Sequence, residues 1–247
     1  MKSRLLGALC ACVLFLIATT IDAAIINLQP IDDAYTSGWE PDTHFNDQTL
    51  ITSEDWPNLV HVSYLKFDLS AIPTNEVIVA ATLNLFQVRS AGPGVGFGNS
   101  MFHFTDSWSE STITATNALD DVVTALGGPV LATNTDFGTP QYTQYDLFQF
   151  LAWDHAADRA DGLLSLLLVD NIGGDSAYTF CSKDSDPLLN PCLAQGETVQ
   201  PQDRDPYLTI QYTDVCYSVT ASPLALRLRP TGAGRYSQKK ESSLTDS

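Results

Sequence analysis

From His61 to Leu69, apolar Leu65, Phe67 and Leu69 alternate with polar Lys66, Asp68 and Ser70. A period of two places one apolar and one polar face on a half-buried strand. After a break at Pro73, Thr74 and Asn75, where Pro and Asn favour a turn, Leu83 and Leu85 resume the same pattern. The two runs predict paired strands of an antiparallel sandwich. Further short strands are expected at 25–28, 49–52, 77–88, 101–104, 141–146, 177–180 and 207–212. Leu163–Val169 is apolar almost throughout, as in a central strand covered on both sides. Phe148–Ala157 predicts one short helix with Phe148, Leu151 and Trp153 or Ala152 toward the core. Turn-rich pieces separate the strands, notably 91–99 and 170–175. This pattern, without a solenoid or propeller period, predicts an all-β jelly-roll β-sandwich spanning 24–214.

The ends set the compartment. Lys2 and Arg4 precede an apolar run from Leu5 to Ala18, and Ala23 and Ala24 follow. A basic start, a short apolar core and small residues at the exit read as a secretory signal peptide over residues 1–23. The run is shorter than the ~20 residues of a spanning helix, so no transmembrane segment is expected in the mature chain. Leu9–Cys12 has a lipobox-like order, but the apolar core continues past Cys12. Residues 215–247 carry five Lys/Arg against two Asp/Glu, with Pro and Gly throughout; this reads as a basic, disordered tail.

Export gives the remaining cysteines their context. Cys181 and Cys192 flank a loop rich in Asp, Pro and Asn, and an oxidising compartment favours bridging them. Such a bridge would contribute about 3 kcal/mol; the alternative is two free thiols. Cys216 is left over.

Between Ala24 and Cys216, five Lys/Arg face twenty-six Asp/Glu. That charge repels nucleic acid and anionic polymers alike, and suits a salty or calcium-rich milieu. If the first and last strands lie side by side, Asp32 and Asp33 meet Asp203 and Asp205. Converging carboxylates are what Ca²⁺ requires, so a structural Ca²⁺ is expected there, with solvated aspartates as the alternative. Asp170, Asn171 and Asp175 form a second acidic loop without the twelve-residue calcium-loop spacing.

The chain resembles the DNRLRE family, which overlaps carbohydrate-binding module family 96. The landmarks are Asp33-Ala34-Tyr35-Thr36, Tyr64 through Leu69 to Pro73, Ala81 to Leu85, Asp106 to Thr112, Phe180 to Asp184 and Pro206 to Tyr212. Ala115 stands where the family carries a second tryptophan, and Lys183-Asp184 where it often has an arginine-glutamate pair. The resemblance implies a jelly roll and a non-catalytic polysaccharide-binding or adhesive role. With so few cations, a neutral glycan is expected, stacked on aromatics and hydrogen-bonded to carboxylates. Trp39 and Trp56, in polar loop surroundings, are the candidate platforms, or else plugs over hydrophobic surface. Trp108 and Trp153 read as core.

Catalytic signals do not accompany this pattern. There is no G-x-S-x-G and no H-E-x-x-H, and His44, His61, His103 and His155 are scattered. Asp106 and Glu110 would make an acid–base pair for glycoside cleavage only at the right separation in a cleft. A sugar-binding module, a structural envelope protein and a polysaccharide-degrading enzyme are the three classes to separate.

Overall fold

The structure is a computed structural model that describes residues 23–46, 49–55, 58–91, 98–134, 140–154, 160–170, 176–185, 192–194, 197–198 and 203–214. The leader, Trp56, Asn171, Asp175, Cys216 and the basic tail lie outside the described residues, as does the side chain of Trp153. Eleven strands follow in order: β1 (Ala24–Leu28), β2 (Pro30–Ser37), β3 (Thr49–Asp55), β4 (Asn58–Asp68), β5 (Glu76–Ala91), β6 (Asn99–Phe104), β7 (Ala132–Asn134), β8 (Gln141–Asp146), β9 (Leu163–Asp170), β10 (Ser176–Cys181) and β11 (Tyr207–Asp214). A helix, α1 (Ala115–Leu126), lies between β6 and β7.

All pairings are antiparallel. One layer runs β2-β4-β9-β6-β7 and the other β1-β11-β5-β8, with β10 and β3 carrying the ladder from β5 round to β4. Leu65 and Phe67 of β4, Leu83 and Leu85 of β5, Leu166 and Leu168 of β9, and Leu208 and Ile210 of β11 meet between the layers. Leu69 joins them. The chain is thus the antiparallel sandwich that its alternation predicts, with those residues inward. A one-residue slip would turn every one of them outward.

The opposite face of β4 departs from expectation. Lys66, expected in solvent, is 5% exposed. The outer face of the β2-β4-β9-β6 layer carries a second core of Val62, Tyr64, Phe102, Phe104, Leu167 and Val169. The loop bearing Trp108 and Ile113, and then α1 through Ala118 and Val122, cover it. This cover is why Leu163–Val169 is apolar on both faces. Helix α1 begins at a capping box, in which Thr114 Oγ1 accepts from Asn117 N–H while Asn117 Oδ1 accepts from Thr114 N–H. Of the expected helix at Phe148–Ala157, residues 155–157 lie outside the described residues; within the rest a π-helical turn spans Phe150–Asp154, with Phe150 and Leu151 in the main core and Phe148 packed against it. Gly162, at φ 82°, occupies a conformation that favours glycine, and its carbonyl accepts Leu69 N–H at 2.7 Å.

Cys181 and Cys192 are bridged, with Cα atoms 5.6 Å apart, inside the usual 4.4–6.8 Å window. The bridge packs on the outer face of β5, with Phe86, Val88 and Ala194 around it. Among the described residues, no helix is long and apolar enough to cross a membrane.

Candidate functional site

The aspartates expected to share a cation go to different partners. Asp32 and Asp33 are consecutive on β2, so their side chains leave opposite faces of the layer. Asp32 turns outward to Lys66 Nζ at 3.0 Å. Asp33 turns inward and is fully buried. The strand beside the last one is β1, and β2 pairs with β4 instead. Asp203 accepts the Asp205 backbone N–H at 3.1 Å, while Asp205 accepts Ser185 Oγ–H at 3.1 Å. The expected four-aspartate cluster is therefore corrected. Among the described residues, the carboxylates that converge are those of Asp33, Glu110 and Asp184, within 4.8 Å of one another.

That convergence already contains a cation. Lys183 Nζ lies 2.8 Å from Glu110 Oε2 and 3.1 Å from Asp184 Oδ1. Asp33 accepts Ser182 Oγ–H at 3.1 Å and Lys183 N–H at 2.7 Å, and its own N–H donates to Glu110 Oε2 at 3.2 Å. A metal ion would have to displace the ammonium. Next to this knot, Lys66 Nζ donates to the Trp108 carbonyl and sits 4.6 Å from the Trp108 ring centroid, a cation–π contact. Trp108 Nε1–H donates to Ser165 Oγ at 3.1 Å. Asp33, Lys66, Trp108, Glu110 and the Ser182-Lys183-Asp184 turn were all family landmarks in the sequence. The fold shows what they do: they fasten β2, the 105–114 loop and the end of β10 together.

Burial raises the Asp33 carboxyl from 3.8 to about 7, against the opposing pull of Lys183. Burial and the adjoining Asp203 raise Asp205 to about 7 as well. A carboxyl whose folded value lies above its unfolded value favours folding at low pH, and that contribution is lost as pH rises through the folded value. Melting temperature should therefore fall between about pH 4 and 7, the interval from the unfolded to the folded value. For Asp33 the loss is about 4 kcal/mol at most by linkage. Asp33→Asn should flatten the decline; a decline of equal size in the variant would refute the assignment.

The aromatic candidate lies elsewhere. Trp39, just after β2, is 70% exposed, so it does not plug the core. Its ring stands edge-on to His61 at 5.2 Å, and Tyr35 stacks on Phe45 at 4.6 Å beside it. Ser53 Oγ and His61 Nδ1 are 2.6 Å apart, and burial lowers the His61 pKa. Trp39 N–H donates to Ser37 Oγ at 3.3 Å, which anchors the start of the loop.

Two hollows flank α1, of about 350 Å³ and 140 Å³. Asp121 is the carboxylate common to both linings. Glu110, considered above for acid–base work, is occupied by Lys183. The described hollows thus lack the facing pair of carboxylates that glycoside cleavage needs.

The family model for carbohydrate-binding module family 96 matches residues 24–193. A gellan lyase from Bacillus sp is 29% identical over 165 residues, covering 66% of this chain and 6% of the lyase. The chain spans only that small fraction of its relative's length. The matched stretch contains ten of the eleven strands and all of the carboxylate knot, and the chain belongs to carbohydrate-binding module family 96.

Proposed function

We propose that this chain is a secreted, non-catalytic module that holds a neutral polysaccharide, with Trp39 as one stacking platform. The observation that carries the platform is the exposure of Trp39 in a chain of a carbohydrate-binding family. An indole left in water costs free energy that a pyranose face recovers by covering it. Charge supports the neutral ligand. Lys66, Lys183 and Arg204 are each engaged by a carboxylate, so a polyanion would meet an acidic surface with few available cations. The leader-like start and the Cys181–Cys192 bridge support export.

Affinity electrophoresis on gels containing glucomannan, mixed-linkage β-glucan or alginate tests this. Retardation by the neutral polymers and not by alginate is expected, and Trp39→Ala should weaken it about tenfold or more, the scale of a buried aromatic anchor. Unchanged binding by the variant would remove Trp39 from the site. The lyase relative favours one other reading, an enzyme acting on gellan. Incubation with gellan should leave its viscosity unchanged; a fall would establish catalysis.

A further inference from the structure

The sandwich has a second surface unlike the rest of its exterior. On the β2-β4-β9-β6 layer, α1 and the Trp108 loop cover the outer face. The outer face of the β1-β11-β5-β8 layer is polar instead, and its polar side chains are wired together across the strands. Gln144 Nε2–H donates to Asn84 Oδ1 at 3.0 Å, from β8 to β5. Asn84 Nδ2–H reaches Thr209 Oγ1 at 3.4 Å, from β5 to β11. Thr209 Oγ1–H donates to Asn27 Oδ1 at 2.8 Å, from β11 to β1. The register sets these residues on one face: Asn84 lies opposite Gln144 and Tyr207, and Thr209 opposite Asn27.

An aromatic edge adjoins this row. Tyr142 and Tyr207 meet edge to face at 5.4 Å, and Tyr142 meets Phe86 the same way at 5.2 Å. Beyond them the face is walled. Arg204 stacks 4.2 Å from the Phe86 ring and is held by Glu197 at 2.7 Å and by the Cys192 carbonyl at 2.9 Å. Arg204, Glu197 and Cys192 therefore close one end. At the other end Ile25, 66% exposed, lies two residues from Asn27 on the same face.

We infer that this face is a second glycan-binding surface, which takes an extended uncharged polysaccharide chain lying across β1, β11, β5 and β8. The inference rests on the carbohydrate-binding reading above and adds the site. A pyranose offers hydroxyl groups around its rim and apolar C–H faces. The exposed amides of Asn27 and Gln144 and the half-buried Thr209 hydroxyl, which both donate and accept, match the rim, with Asn84 buried beneath them as the link, and the tyrosines and Ile25 match the faces. Four strands at about 4.8 Å spacing make the row about 14 Å long, the reach of a short oligosaccharide. The side chains are already fixed by one another, so little rotamer freedom is lost on binding. The row itself carries no charge, and the cation at its wall is occupied by Glu197, so the match is to a neutral polymer.

The test uses the full chain, titrated with soluble glucomannan, and compares the wild type with Asn27→Ala/Gln144→Ala. Both side chains are exposed, so melting temperature should not move. Binding should weaken about tenfold or more, and amide chemical shifts at Thr209 and Tyr207 should move on titration. Asp120→Ala, on the exposed side of α1, is the control and should bind as wild type. Wild-type affinity in the double variant, with shifts confined to the 38–46 loop, overturns this surface and leaves the Trp39 platform standing. No binding by the wild type to any neutral polymer overturns the module reading together with it.

Discussion

Lys183→Ala should lower stability by about 3 kcal/mol or more and produce a chain that melts well below the wild type. The ammonium neutralises Glu110 and Asp184 at 2.8 Å and 3.1 Å, and it lies beside the fully buried Asp33. Removing one partner of a buried ion cluster leaves its opposite charges unsatisfied, and that typically costs about 3–5 kcal/mol. The pair is partly exposed, so the lower end applies. Glu110 and Asp184 would then repel one another beside the Asp33 carboxyl, the three groups lying within 4.8 Å. Urea titration measures the loss, and Lys183→Arg should restore most of it, because charge more than shape is needed here. A loss below about 0.5 kcal/mol would show that solvent satisfies the knot. A double-mutant cycle with Glu110→Gln then assigns the coupling. The variant also tests a chemical question. With the ammonium gone, added calcium should recover stability if the three carboxylates can hold a cation, and the intact protein should gain less.

Loss of the Cys181–Cys192 bridge is the second large effect. The loop is closed over a sequence separation of 11, which corresponds to about 3 kcal/mol through the unfolded chain. Both cysteines are buried beside Phe86 and Val88, so Cys181→Ala/Cys192→Ala also removes packing. The double variant should fall by about 3–5 kcal/mol. Reduction of the wild type should approach the lower figure, since the thiols still fill the space. Arg204 depends on the same loop, through the Cys192 carbonyl at 2.9 Å and Glu197 at 2.7 Å. The Glu197 carboxyl, held by Arg204 down at about 2, should return toward the usual carboxylate range when the bridge is gone. NMR titration of that carboxyl reads this. An unchanged value would mean that the loop holds its shape without the bridge.

The sequence made the sandwich readable because period-two alternation reports one face at a time. Leu65, Phe67, Leu83 and Leu85 needed only a covered inner face. Lys66 was misread for the same reason. Its polar character marks the outer face correctly, but alternation says nothing about a helix lying over that face. The covering helix was missed because the N3 partner of its N-cap Thr114 is Asn117, whereas the familiar signature has Glu or Gln at that position. Its buried stripe is only Ala118 and Val122. The disulfide was legible from compartment and spacing. The aspartate cluster was not, since it depended on which strand neighbours the last one, and Asp32 and Asp33 were read as a pair when strand geometry separates them. Glu110 and Lys183 were visible as family landmarks, yet their meeting with Asp33 spans separations of 77 and 150 residues, beyond any local pattern. The polar row from Gln144 to Asn27 has no motif at all. It exists only when four strands are laid side by side.

The pairing of β1 with β11 sets Ala24 opposite Tyr212, so the chain enters and leaves the sandwich at the same end of one ladder. Tension applied between those two points would load the hydrogen bonds one at a time, from Ala24 toward Leu28, and not all together in shear. The five-residue β1 would therefore peel away at low force, while β11 stays bonded to β5 along Tyr207–Asp214. Its departure would remove Asn27 and Ile25 from the outer face and leave the Trp39 loop in place. A molecule held by its two ends in flow would thus release whatever rests on that face before it unfolds, a mechanical fuse built from the order of the strands.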